Sequence, residues 1–317
     1  VKMDKALPPR PGSHFRHVRS PAIVEHFRRL SRHIVEKLAL APRSLVMDIG
    51  CNDGTFLQCF EAEGMRIIGV DPGQRTGELA RADGVTVFRT FWSREAGQAL
   101  AALQLQPDLI TATAVFYHLP DLHDFIEGLK AVMQPHTVFV VQCVNLLDLI
   151  QRNEFDHFYH EHTCIHAISP LKRLFEAHGL KLLDVEYAEI HGGSFIAYVA
   201  LQTHPDAPSP AVQRAIDAEV AAGLHDLATY RAFAERVRSN AEALRKVLTG
   251  LKADGKRVFA LGAPVKGNTL LNYARITSEL IEKVTEVNQF KIGRMTPGTH
   301  IPIVDERMAG EIGRAHV

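Results

Sequence analysis

The chain has 317 residues, 46% hydrophobic and 23% charged, the make-up of a globular protein with a substantial core. Lysine plus arginine and aspartate plus glutamate balance at 36 each, so no net field favours nucleic acid or an anionic membrane, and the expected partner is a small molecule. Cys51, Cys59, Cys143 and Cys164 form no C-x-x-C pair, no apolar run approaches the roughly 20 residues of a membrane span, and residues 1–19 lack an apolar signal core, so a reducing, cytoplasmic location is expected.

Residues 20–40 carry apolar side chains at helical spacing, with Pro21 suited to a first turn, and predict a helix feeding the first strand. Strand 44–49, helix 55–63, strand 67–70, helix 76–83, strand 85–88, strand 109–112, helix 122–132 and strand 137–143 follow. The last is a near-continuous apolar run of the kind buried on both faces. This alternation predicts a parallel sheet with helices on both sides. A histidine-rich segment begins at Asp156. After it, a helix over 170–178 and strands over 181–186 and 195–202 extend the sheet with an antiparallel edge. Residues 204–210 hold three prolines and read as a linker; 211–251, rich in Ala, Arg, Glu and Leu, predict one or two long helices. From Lys256 a second, smaller α/β unit begins with strand, glycine turn and helix over 257–269, then a strand before Asn288 and a turn at Thr296-Pro297-Gly298-Thr299. The expected domains are therefore 1–204 with its N-terminal helix, bridging helices over 205–255, and an incomplete α/β domain over 256–310. The chain starts with Val1, and 311–317 resembles the translation of a sequencing-adapter read, so an artefactual tail on a longer natural protein is expected.

The most informative stretch is Val46-Met47-Asp48-Ile49-Gly50-Cys51-Asn52-Asp53-Gly54, followed by Ile67-Ile68-Gly69-Val70-Asp71. A glycine-rich strand-to-helix turn, with an acid closing the next strand, is the grammar of a Rossmann-like nucleotide pocket. The turn reads D-x-G-x-x-x-G rather than G-x-G-x-x-G. That spelling argues against a dehydrogenase and suits a cationic ligand better than a pyrophosphate. S-adenosylmethionine is the ligand it suggests. Gly50 and Gly54 would let the chain pass under the amino-acid part, Asp48 would face the ammonium, and Asp71 would accept from the ribose hydroxyls, with Asn52 and Asp53 in the same turn. These residues resemble motifs I and II of class I methyltransferases.

Asp156-His157-Phe158-Tyr159-His160-Glu161-His162, with His166 beyond, is the densest cluster of ionisable side chains. Zinc binding, a packed histidine cluster and general acid–base catalysis compete here. Neither H-E-x-x-H nor a cysteine pair supports zinc, whereas imidazole titrates near neutral pH beside a carboxylate and a phenol that can orient it. In the later unit, amides at the helix start and Lys266 offer an anion cradle, and a purely structural turn fits that segment equally well.

Glu154-Phe155-Asp156-His157-Phe158-Tyr159-His160-Glu161-His162, His191-Gly192-Gly193-Ser194, Gly262-Ala263-Pro264-Val265-Lys266-Gly267 and Thr296-Pro297-Gly298-Thr299-His300-Ile301-Pro302 resemble, in the same order, the C-methyltransferases that act on nucleotide-linked keto-sugars. The resemblance runs from about Phe15 to Asp305. It implies a Rossmann-like class I methyltransferase domain, followed by the smaller α/β domain, in deoxysugar biosynthesis. His162 would be the base that forms an enolate, assisted by Tyr159 and Glu161, with His191 as a second candidate and His160 a bystander. Phe15 would stack on the cofactor, while Lys266, Asn268, Gly192 and His300 would hold the nucleotide-sugar. Zinc is implied only for an N-terminal four-cysteine module that this chain lacks, and no metal ligand is assigned within it. O- or N-methylation of another small molecule, or nucleotide binding without catalysis, are the competing functions.

Overall fold

The computed structural model describes residues 21–308. Phe15 and residues 311–317 lie outside the described residues. In chain order the elements are α1 (Pro21–Lys37), β1 (Leu45–Ile49), α2 (Thr55–Ala62), β2 (Arg66–Val70), α3 (Gln74–Ala82), β3 (Thr86–Phe88), α4 (Arg94–Ala102), β4 (Leu109–Thr113), α5 (Leu122–Val132), β5 (Val138–Val144) and α6 (Leu146–Arg152). They continue with α7 (Ile168–Ala177), β6 (Leu180–Ala188), β7 (Ser194–Leu201), α8 (Pro210–Ala221), α9 (Leu227–Ala253), β8 (Phe259–Leu261), α10 (Val265–Tyr273), β9 (Lys283–Glu286) and β10 (Ile303–Asp305).

Two compact units result, and they are not contiguous in sequence. Among the described residues the first comprises 21–143, 168–188 and 195–215; the second comprises 144–167, 189–194 and 216–308. The histidine segment thus belongs with the C-terminal half. Local bonds explain this: Arg236 Nη2 donates to the Ile150 carbonyl at 2.7 Å, and the Phe158 and Phe233 rings lie 6.3 Å apart. Residues 204–210, read from sequence as a linker, are bound down on the first unit instead. Lys181 Nζ donates to the His204 carbonyl, and Ser209 N donates to the Leu183 carbonyl at 2.7 Å.

In the first unit a seven-stranded sheet has the order β3-β2-β1-β4-β5-β7-β6. β1 pairs in parallel with β2 and β4, β2 with β3 and β4 with β5. β1 and β5 are buried at every residue, which is why both read as unbroken apolar runs. β6 and β7 are joined by too few residues for a parallel crossover, and Gln202 N donates to Gly179 O, so this pair is antiparallel. α1 lays Leu30 and Ile34 on the sheet and stacks Phe27 against Phe56 of α2 at 4.8 Å. α4 was not foreseen. It starts at Ser93, whose side chain accepts from Ala96 N, and its Gly97 meets Gly128 of α5 so closely that an added Cβ would lie 2.2 Å from the Gly128 carbonyl oxygen.

The second unit contains a three-stranded parallel sheet, β10-β9-β8, covered in part by α9 and α10 around Ile276, Ile281, Val284 and Ile301. Its first turn repeats the logic of the first unit. Gly50 N donates to the Val70 carbonyl at 2.7 Å, and Gly262 N donates to the Thr285 carbonyl at 2.8 Å. In both places an acid follows: Asp71 accepts from Asn52 N, and Glu286 accepts from Ala263 N. Among the described residues no helix is long and apolar enough to cross a membrane.

Candidate functional site

Two groups of side chains have the chemistry of a site, one in each unit. In the first, β1 delivers Asp48 into a fully buried position, 3% exposed, with Thr111 Oγ1 of β4 donating to its Oδ1 at 2.6 Å. Burial pushes the carboxyl up to about 7; the Thr111 hydrogen bond opposes this and the neighbouring Asp71 adds to it. A carboxylate so placed gains from any cation that reaches it. Gly50 follows at φ 77, and an added Cβ would lie 2.3 Å from Val115 Cγ2, so the turn admits neither another conformation nor another side chain cheaply. Gly54, at φ 78, begins α2.

Asn52 also adopts a left-handed conformation, φ 51. Asp53 turns toward its own helix, where Oδ1 accepts from Thr55 Oγ1 at 2.6 Å and Thr55 N at 3.2 Å. Asp71 stands at the end of β2 and is held by Asn52 N at 3.0 Å, Gly73 N at 2.8 Å and Thr76 Oγ1 at 3.1 Å. A carboxylate has about four acceptor positions. These three bonds fix its direction and leave room for a hydroxyl donor. A buried acid suited to an ammonium, a turn with no space for a Cβ and an anchored acid one strand away fit S-adenosylmethionine.

In the second unit the segment after α6 forms a 3-10 turn, Phe155–His157, that sends His157 inward to 2% exposure and leaves His160 in solvent. Tyr159 and His162 are half-buried, their rings 4.2 Å apart, and His162 stacks on His157 at 5.8 Å and 23°. Burial, with Glu161 and Asp156 adding, pushes the Tyr159 phenol up to about 12, so it remains a hydrogen-bond donor at neutral pH. His157 Nε2 lies 3.0 Å from the His191 carbonyl, 2.8 Å from Lys266 Nζ and 3.4 Å from Glu154 Oε2. Burial and then Lys266 hold its proton affinity below the ordinary value, outweighing Asp156 and the His191 bond.

The loop bearing His191 has three consecutive positive φ angles: His191 56°, Gly192 87° and Gly193 129°. At Gly192 an added Cβ would sit 1.8 Å from Glu154 Oε2. Arg152 Nη1 clamps the Gly192 carbonyl at 2.8 Å and pairs with Glu189. Lys266 opens α10 and also lies 3.5 Å from Asp156.

Of the residues expected from sequence, Tyr159, Glu161, His162, His191, Gly192 and Lys266 all lie in the second unit, with His157 in contact with His162, His191 and Lys266. Asn268 lies one turn along α10; its carbonyl accepts from Asn272 Nδ2, which also donates to Pro297 O. His300 is exposed, in the turn whose Thr296 and Thr299 hydroxyls bond each other at 2.7 Å. Sequence reasoning did not single out His157, Glu154, Thr111 or Glu286. For Glu286 the signal was present, since it ends the strand after a glycine turn as Asp71 does. For the other three, only the folded chain distinguishes them. Among the described residues, no group of three or more His, Cys, Asp or Glu side chains could hold a metal ion.

Comparison with known proteins gives two family matches. Residues 23–185 match the family described as methyltransferase domain, and residues 189–312 match the C-methyltransferase C-terminal domain. The C-methyltransferase NovU of Streptomyces niveus is 34% identical over 305 residues, 94% of this chain and 72% of that protein. Among solved structures, magnesium protoporphyrin IX methyltransferase from Synechocystis PCC 6803 with bound SAH is similar at 14% identity and TM-score 0.45, over 57% of this chain and 84% of that one. The PH0226 protein from Pyrococcus horikoshii OT3 is similar at 15% identity and TM-score 0.45, over 57% and 90% of the respective chains.

Proposed function

Because the chain belongs to the S-adenosylmethionine-dependent C-methyltransferases, we propose that it methylates the carbon next to the ketone of a nucleotide-linked keto-sugar. The observation that carries this reading is the cluster of Tyr159, His162 and His157 in the same unit as the α10 turn bearing Lys266. Acid–base groups beside an anion-seeking lysine suit a ketone that arrives on a diphosphate.

Carbon methylation sets the requirements. A C–H bond is not nucleophilic, so a base must first remove a proton next to a carbonyl, leaving an enolate. His162 is the assigned base, with its ring against Tyr159 at 4.2 Å. Tyr159, protonated at working pH, donates to the oxygen on which negative charge develops. Glu161 orients this pair, and His191, whose backbone carbonyl lies 3.0 Å from His157, is the second candidate to assist at the sugar. Lys266 and the first turn of α10 attract the diphosphate, and Asn268, Gly192 and His300 complete the grip on the nucleotide-sugar.

Asp48, Gly50, Asn52, Asp53, Gly54 and Asp71 would hold the donor, Asp48 by its charge and Asp71 by accepting from the ribose. When bound, S-adenosylmethionine supplies an electrophilic methyl group. Transfer needs the nucleophilic carbon in line with that methyl group, and such positioning alone can accelerate a reaction by several orders of magnitude.

The test is incubation of purified protein with methyl-labelled donor and a panel of dTDP-linked keto-deoxysugars, with the label located by mass spectrometry. Label on a ring carbon, with deuterium washed out of that carbon of a deuterated substrate in ordinary water, supports the reading. Label on oxygen or nitrogen without washout sinks it.

A further inference from the structure

Neutral imidazole has one N–H and one lone pair, yet His157 Nε2 faces two partners that need opposite things of it. To donate to the His191 carbonyl, 3.0 Å away, Nε2 must carry the proton. To accept from the Lys266 ammonium, 2.8 Å away, it must be bare, with the proton on Nδ1. Full protonation would keep the bond to the carbonyl but set an imidazolium against the Lys266 ammonium. The remaining groups around the ring are Glu154 at 3.4 Å, Asp156 beside Lys266, and the stacked His162 ring. Nδ1 itself is buried with no hydrogen-bond partner, so Nε2 alone meets the two neighbours and each tautomer bonds only one of them.

We propose that His157 is a positioning residue that works as a tautomer latch. With no ligand, Lys266 donates to Nε2 and the His191 carbonyl is released; an anion that draws Lys266 away lets Nε2–H bond that carbonyl and fixes the 191–193 turn. The change conserves protons, since Nδ1 loses one to water as Nε2 gains one. Its position supports the coupling. Lys266 lies in the first turn of α10, whose N-cap, Pro264, makes no side-chain cap, so an anion there is drawn by both the ammonium and the free amides. The turn it would fix is held in left-handed geometry at His191, a conformation that costs a non-glycine residue energy and needs support. The latch rests on the nucleotide-sugar reading only for the identity of the anion, a diphosphate.

Histidine-selective 15N labelling of the full chain reads the tautomer, with the His157 resonances assigned by their loss in His157→Gln. The expected result is Nδ1–H in the ligand-free protein, Nε2–H in ligand-free Lys266→Met, and conversion of the wild type to Nε2–H on saturation with thymidine diphosphate. The same tautomer in ligand-free wild type and Lys266→Met overturns the latch. So does thymidine diphosphate that binds by calorimetry without changing the tautomer. Failure of thymidine diphosphate to bind at all counts against the nucleotide reading, and the lysine comparison, which needs no ligand, still decides the latch.

Activity gives an independent arm. His157→Gln keeps a donor near the Nε2 position and His157→Phe keeps only the ring. At equal melting temperature, kcat should fall about fivefold in the first and about 100-fold in the second, with donor affinity unchanged in both. Equal losses in the two variants overturn the assignment.

Discussion

Asp48 and Thr111 are register partners on adjacent parallel strands, and the threonine hydroxyl donates to the aspartate at 2.6 Å inside the sheet. One hydroxyl does not offset the loss of water, and the carboxyl is pushed from 3.8 up to about 7. The folded protein therefore holds a proton that the unfolded chain has already released, so stability falls as pH rises from about 4 to about 7 and is flat above. The ligand-free protein should melt at a lower temperature at about pH 8 than at about pH 5, and Asp48→Asn should remove much of that difference. An ammonium beside Asp48 reverses the sign, so donor affinity should rise over the same window in the wild type and not in Asp48→Asn. Melting curves and calorimetry at the two pH values decide it.

Gly50 sets the second prediction. Its φ of 77 and the 2.3 Å approach of Val115 Cγ2 to a built Cβ are separate penalties. Gly50→Ala should cost about 1–3 kcal/mol of stability and at least tenfold in donor affinity. Adding Val115→Ala removes the overlap and leaves the left-handed strain, so the double variant should recover part of the loss. Full recovery would assign the whole effect to crowding, and none would assign it to the backbone.

Much of the first unit was legible from sequence because its physics is local. β1 and β5 are buried on both faces and read as apolar runs; the Gly50 turn and Asp71 announce themselves by residue type and spacing. What escaped depends on contacts distant in sequence. β7 lies between β5 and β6 in the sheet, an order that no periodicity encodes. α4 and β10 are short, and α4 is stabilised by its close approach to α5 at Gly97 and Gly128. In the site, all seven residues from Asp156 to His162 are polar or aromatic, with no helical or strand period. The 3-10 turn alone decides that His157 goes inward and His160 outward. The association of residues 144–167 with the C-terminal half follows from bonds such as His157 to Lys266, more than 100 residues apart.

His162 should separate binding from chemistry. His162→Asn keeps a polar side chain of smaller size and removes the base. Turnover should fall about 10²–10⁴-fold while donor affinity changes little. Deuterium washout from the substrate carbon should fall with turnover, since both wait on the same proton. Tyr159→Phe tests the oxyanion role: a loss of about 10–100-fold in kcat is expected, with washout slowed in parallel. Burial pushes the phenol up to about 12, so any limb of the wild-type pH–rate profile near neutrality should persist in Tyr159→Phe. Loss of that limb in Tyr159→Phe would contradict the assignment.

The last prediction concerns Gly192 and Glu154. The space where a Gly192 side chain would begin is filled by the Glu154 carboxylate, 1.8 Å from a built Cβ, and the residue adopts φ 87. Burial pushes the Glu154 carboxyl above its ordinary value, with Lys266 opposing. Gly192→Ala must expel the carboxylate from the position where it lies 3.4 Å from His157 Nε2, and so disturb the turn carrying His191. Glu154→Ala clears the space without adding strain. If the carboxylate serves only to fill that space, Glu154→Ala should retain activity and Gly192→Ala/Glu154→Ala should exceed Gly192→Ala. If its charge orients the histidines, Glu154→Ala should lose kcat by about tenfold, Glu154→Gln should restore only the packing, and the double variant should do no better than either single one. The contact with His157 favours the second outcome, and steady-state kcat across the four variants, at matched melting temperature, distinguishes the two.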